Sequence, residues 1–214
     1  MIVLASASPR RQELLRNAGI PFIVQPADIN ETPLTNESPQ NCAERLAREK
    51  ASVVFQERPQ VYVLGADTIV VIDDNIMGKP RDAADAGRML RLLSGRTHPV
   101  ITGVCLVGPV ASKTEAQTAR LPGHIEERLT TSNRQPETTF ERTASETTLV
   151  TMCELSDDEI RDYVATGEPM DKAGAYAIQG MASRWIPRIE GDYSNVVGLP
   201  VALVYAMLRE RGAI

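Results

Sequence analysis

The 214-residue chain has three cysteines, Cys42, Cys105 and Cys153, widely separated and without a CxxC pair, and two histidines, His98 and His124. That scarcity argues against a zinc site and a disulfide framework, and reads as reduced thiols in a cytoplasmic protein. No apolar run reaches membrane-spanning length, and the amino terminus enters IVLA without a basic leader, so neither a membrane anchor nor a secretion signal is expected. With a formal net charge of -5 and no long block of one sign, the chain lacks the footprint of a generic nucleic-acid or membrane-surface binder. Two common phosphate signatures are missing as well: there is no GxxxxGK[ST], and no GxGxxG follows an expected strand. P-loop and dinucleotide readings lose their support, while a local basic pocket for a small anion stays open.

What is present is an alternation of short apolar runs and helical periodicity. Residues 2–5 read as a buried strand and Pro9–Ala18 as a helix closed by Gly19. A second strand starts at Phe22 and leads into a polar loop to about Pro39; residues 40–56 carry apolar residues at helical spacing. VYVLGADTIVVI reads as two apolar runs separated by Gly-Ala-Asp, and Asp73, Asp74 and Asn75 supply turn chemistry after it. A helix over 82–93 with Asp82 as its cap, a strand in HPVITGVCLV, a strand in TTLVTMCEL, a helix with capping-box spacing at Ser156 and Glu159, and a last helix from Pro200 to Arg211 complete the pattern. Between Gly108 and Thr147 the text is polar and poor in large apolar residues. It reads as a mobile loop with one short helix around 122–129, either a tolerated surface insertion or a partner-binding segment. Helices alternating with strands, without an internal repeat, point to one α/β unit with a mixed sheet.

Several residues invite a chemical reading. In ASASPRR, Ser8 and Pro9 have the form of a helix start, yet Arg10 and Arg11 follow where acidic side chains are the stabilising choice. Either they are solvated or an anion belongs at that helix end. Asp67 interrupts an apolar run, where an unpaired carboxylate is costly; it reads equally as a metal ligand or general base and as a turn residue at a strand break. Glu31 stands just after an expected strand and is a candidate to join Asp67 on a divalent cation. Lys50, Lys79 and Lys172 read, each alone, as solvated lysines, and His98, just before a proline, as a structural hydrogen bonder.

Taken together, LASASPRRQELL (4–15), RLAREKA (45–51), VLGADTIV (63–70), GKPRDAADAGRML (78–90), LSGRTHPVITGV (93–104), TGEPMDKAGAYAIQG (166–180) and GDYSNVVGLP (191–200) resemble, in order, the Maf-like family of nucleoside triphosphate pyrophosphatases. The resemblance covers nearly the whole chain outside 108–147, an insertion longer than the family's pattern leads one to expect. It implies a single two-lobed α/β domain over residues 1–214, built around a central mixed β-sheet with flanking helices and with the active site in the cleft. It also implies water attack on the α-phosphorus of a nucleoside triphosphate, with a divalent cation, Mg2+ or Mn2+, as cofactor. Carried over position by position, Asp67 becomes the catalytic acceptor and, with Glu31, a metal ligand. Ser6, Arg10, Arg11, Lys50 and Lys79 become phosphate ligands, and Arg10, Thr68 and Gln179 the residues that tune base preference. SPRR, GADT and AIQG are similar to the dTTP/UTP-preferring branch; 7-methyl-GTP as substrate and a regulator of cell division or septum formation are the alternatives. A homodimer is the implied assembly, with neither nucleic acid nor membrane as partner.

Overall fold

The computed structural model describes residues 1–109 and 139–214. Strand β1 (Ile2–Leu4) runs into α1 (Pro9–Asn17), then β2 (Phe22–Val24), α2 (Pro39–Glu57), β3 (Val63–Ile72), β4 (Asn75–Met77) and α3 (Ala83–Leu93). Two long strands follow, β5 (Thr97–Pro109) and β6 (Thr139–Thr151), and then α4 (Asp157–Ala165), β7 (Arg188–Glu190), α5 (Tyr193–Val197) and α6 (Val201–Glu210). Short 3-10 turns at Glu168–Asp171, Ala173–Ala175 and Met181–Trp185 fill the stretch between α4 and β7. The sheet has seven strands in the order β2-β1-β3-β5-β6-β7, with β4 folded back on β3. β1 is parallel to β2 and β3, and every other pairing is antiparallel, so the expected mixed α/β domain is borne out.

Local chemistry explains most of the boundaries. Ser8 caps α1 by accepting from the Arg11 amide, and Pro9 takes the first helical position. Ser156 and Glu159 close a reciprocal capping box on α4, and Asp82 caps α3. The β3–β4 hairpin turns on Asp73 and Asp74, both at positive φ, as a two-residue loop between right-twisted strands requires.

Two expectations need correction. Gly-Ala-Asp does not divide the apolar stretch: Val63–Ile72 is one unbroken strand, with Asp67 in its middle. Gly65 is there for contact, since a Cβ on it would lie 2.1 Å from the Ala47 carbonyl oxygen, and one on Gly103 2.3 Å from that of Ala43. These glycines let α2 approach the sheet backbone closely. The polar segment is also shorter than expected. Residues 139–147 belong to β6, laddered residue by residue onto β5 from Pro109↔Thr139 to Thr97↔Thr151. Among the described residues β7 covers only 149–151, so most of β6 is an edge strand there, and its threonines, serine and charges suit such a position. The helix expected around 122–129 lies outside the described residues.

Four apolar clusters draw on β3, two of them on the face away from α2. Leu64 and Ala66 pack with Ile2, Leu4 and Leu15 on one side, whereas Val70 and Ile72 pack with Leu90, Tyr163 and Trp185 further along. Between them, among the described residues, no strand pairs with the edge of β3 facing β1: β1 pairs only as far as Leu64, and β4 begins at Val70. The gap between those two partners, centred on Asp67, is where the cleft opens.

Candidate functional site

Alternation along β3 sends Asp67 and Thr68 to opposite faces of the sheet. On one face, α2 presents Lys50, whose Nζ lies 2.6 Å from Asp67 Oδ1 and 2.5 Å from Glu31 Oε1. Lys79 Nζ stands 3.7 Å from the other oxygen of Glu31. Lys50 and Asp67 are buried, so each ion is satisfied by its partner instead of by water. Partial burial works against the charged form of Glu31, but the hydrogen bond and charge of Lys50, with Lys79 and Arg11, hold its carboxyl below the usual carboxylate range. One ammonium thus draws together two carboxylates that are 36 positions apart in the chain.

The opposite face is organised by Arg11. Its Nε donates to the Gly198 carbonyl at 2.7 Å, Nη1 to Ser6 Oγ at 3.0 Å and Nη2 to Thr68 Oγ1 at 3.0 Å. A guanidinium has five N–H donors, so two remain for a ligand. Burial, opposed by the charge of Asp67, lowers the Arg11 pKa from its ordinary value. Thr68 Oγ1 continues the chain to Thr102 Oγ1 at 2.9 Å, and Thr102 donates to the Asn195 carbonyl at 3.0 Å. Asn195 is fully buried and donates to the Val100 carbonyl and Thr148 Oγ1, which pins α5 and thereby the Gly198 carbonyl.

Arg10 has a different setting. It reaches across the cleft to Asp171, with Nη1 3.0 Å from Oδ2, and the other Asp171 oxygen takes Lys172 Nζ at 2.5 Å. The two arginines that stand at a helix start without an acidic neighbour therefore diverge: one is internal, the other faces the opening.

Ser6, Arg10, Arg11, Glu31, Lys50, Asp67, Thr68, Lys79 and Gln179 all line this one cleft, of about 700 Å³. Asp171 and the Gly198 carbonyl line it too and were not singled out by pattern, and so does Lys172, which reads in sequence as a solvated lysine and is given no role there. His98 does stand apart as a structural group, its Nε2 2.8 Å from the Tyr176 hydroxyl in the core.

Chemically, the cleft offers cations for a polyanion, a buried carboxylate beside an ammonium, and a second carboxylate at the entrance. Two carboxylates suit magnesium, which commonly takes one or two and fills its remaining positions with substrate phosphates and water. Among the described residues no group of three or more His, Cys, Asp or Glu is placed to hold a metal ion. No helix among them is long and apolar enough to cross a membrane.

Comparison with known proteins bears on this arrangement. The chain is 51% identical to the dTTP/UTP pyrophosphatase of Koribacter versatilis (strain Ellin345), over 100% of this chain and 95% of that one. It is 47% identical to the dTTP/UTP pyrophosphatase of Geobacter sp. (strain M21), over 100% and 96%. To the protein of the same name from Symbiobacterium thermophilum it is 46% identical, over 99% and 94%. The family model described as Maf-like protein matches residues 1–211, and with that coverage the chain belongs to the Maf-like family.

Proposed function

We propose that this protein hydrolyses dTTP and UTP to the monophosphate and pyrophosphate, and so clears these or modified pyrimidine nucleotides from the nucleotide pool. The observation that carries the reading is the Lys50–Asp67–Glu31 cluster set beside Arg10 and Arg11 in one cleft, in a chain whose relatives bear that activity in their names. A water oxygen attacks the α-phosphorus, the bond to the bridging oxygen of the β-phosphate breaks, and pyrophosphate leaves. Asp67 orients the water and accepts its proton. Lys50 and Lys79, with the free N–H groups of Arg11, Arg10 and the Ser6 hydroxyl, neutralise the phosphates where charge builds up. Arg10, Gln179 and Thr68 set base preference; Gln179 has both the donor and the acceptor needed to read a pyrimidine edge.

Asp67 and Glu31 would hold the divalent cation, Mg2+ or Mn2+. Bound there, such an ion supplies charge neutralisation and lowers the pKa of attacking water. The same reading takes a homodimer as the working unit and the cytoplasm as its location, in keeping with free cysteines at 42, 105 and 153.

The experiment is a panel of triphosphates with magnesium, scored separately for pyrophosphate and orthophosphate. Pyrophosphate from dTTP and UTP, well above that from 7-methyl-GTP and the purine triphosphates, is the expected result. Release of orthophosphate alone would sink the α-phosphorus assignment, and a preference for 7-methyl-GTP the pyrimidine one.

A further inference from the structure

Glu31 is carried by residues 25–38, which join β2 to α2 without helix or strand of their own. Such a segment keeps a side chain in place only if tertiary contacts order it. Glu31 is itself 46% exposed, so burial does not hold it. Lys50 and Lys79 meet the carboxylate itself, while the backbone that carries it is gripped by a residue outside the cleft, Arg45. Arg45 Nε lies 2.6 Å from Glu37 Oε1 and its Nη2 2.8 Å from Glu37 Oε2, a two-pronged ion pair in which the side chains are 13% and 9% exposed. The same Nη2 donates to the carbonyl of Thr32 at 3.2 Å, and Nη1 lies 3.2 Å from Glu49 Oε1. Glu37 in turn accepts from the Leu34 amide at 3.0 Å.

From this geometry we infer that Arg45, paired with Glu37, is a positioning residue for the Glu31 carboxylate. The inference rests on the proposed role of Glu31 in the reaction. Thr32 follows Glu31 directly, so the guanidinium grips the backbone beside the carboxylate and also the far end of the segment. Arg45 and Lys50 stand on one helix, α2. A single rigid body therefore fixes both where the Glu31 backbone runs and where its side chain arrives. The pair is firm: the Arg45 hydrogen bond, against the opposing effect of burial, holds the Glu37 carboxyl down at about 2, so both partners stay charged across the working pH range. Lysine cannot take over this task, because its ammonium lacks the planar fork that grips Glu37 twice and Thr32 once.

The test is a cycle of Arg45→Lys, Glu31→Gln and the double variant, read as kcat/KM for dTTP with magnesium, together with hydrogen–deuterium exchange of residues 26–36 in the protein without nucleotide. Misplacing a reacting or ligating group by about 1 Å costs on the order of 100-fold. Arg45→Lys should therefore lower kcat/KM by roughly 10- to 100-fold and speed exchange over 26–36 while β3 and β5 keep theirs. In the double variant the Glu31→Gln loss should grow no further, since a displaced carboxylate and an absent one are equivalent. Glu37→Gln attacks the pair from the other side and should repeat the pattern. Losses that multiply in the double variant, or unchanged exchange over 26–36 in both Arg45→Lys and Glu37→Gln, overturn the inference. Normal kcat/KM for Glu31→Gln alone overturns the reading of Glu31 itself, and with it this role for Arg45; the exchange data still report separately whether Arg45 fastens the segment.

Discussion

Lys50 Nζ lies 2.6 Å from Asp67 Oδ1, and that contact exists because α2 lies almost on the backbone of β3 at Gly65. A buried ammonium against a buried carboxylate keeps Asp67 oriented and hydrogen-bonded before substrate arrives.

Asp67→Asn retains the shape and an acceptor for Lys50 but loses the base. Turnover of dTTP should fall by about 10³-fold, and the fold should survive at a lower melting temperature, because the buried Lys50 ammonium keeps only Glu31 as counter-charge. Pyrophosphate release alongside thermal unfolding decides it, and near-normal turnover removes Asp67 from its role.

Lys50→Met takes away the cation that does most to keep Glu31 ionised. The carboxyl of Glu31 should then titrate at higher pH, because a lost neighbouring positive charge favours the protonated form. Carbon-13 NMR of labelled glutamate reads this directly. An unmoved titration would mean that Lys79 and Arg11 suffice.

Arg10 and Arg11, adjacent in sequence, should give opposite phenotypes. Arg11→Ala removes three internal hydrogen bonds, to the Gly198 carbonyl, Ser6 Oγ and Thr68 Oγ1, and should cost about 3 kcal/mol of stability, as losses of buried charged hydrogen bonds do. Arg10→Ala breaks only an exposed pair with Asp171, worth under about 1 kcal/mol, yet should alter the ratio of dTTP to purine triphosphate turnover. Denaturant unfolding and the substrate panel separate the two. Equal weakening of every triphosphate by Arg10→Ala would make it a plain phosphate ligand.

His98 should make the fold acid-sensitive. Burial, with Arg96 adding to it, pushes the imidazole down to about 4, below an unfolded value of about 6.5. The unfolded chain then binds the proton first as pH falls, so stability is full above about 6.5, declines toward pH 4 and loses roughly 3 kcal/mol in all. Urea midpoints across that window should show the slope, and His98→Gln should flatten it.

Gly65→Ala places a methyl group 2.1 Å from the Ala47 carbonyl oxygen. Overpacking against backbone sits at the upper end of its usual range, about 3 kcal/mol, and pushes α2 and Lys50 away from Asp67. Lower stability together with lower kcat is expected; a stable, fully active variant would show that the close approach is not needed.

Much of the fold is legible in local pattern. Ser8-Pro9, Asp82 and the Ser156–Glu159 box mark helix starts because capping is decided within four residues. The errors fall where the deciding partner is remote. Gly-Ala-Asp looks like a break since glycine and aspartate disfavour strands, and only the helix packed on Gly65 explains them in the middle of one. Residues 139–147 look like loop because a strand that has one neighbour among the described residues needs little apolar surface.

The amino-acid sequence alone determined the family and, through it, named nine residues that line the cleft, because ordered motifs of fixed residue types carry that information linearly. It placed Arg11, four and seven residues before Leu15 and Ala18, on the core-facing side of its helix, but it did not bring Glu31 to Lys50 or show what fastens residues 25–38. Those were decided by tertiary structure. Strand alternation sorts Asp67 and Thr68 onto opposite faces, the gap between β1 and β4 opens an edge for the cleft, and side chains distant along the chain meet there only once the apolar clusters on both faces have closed around β3.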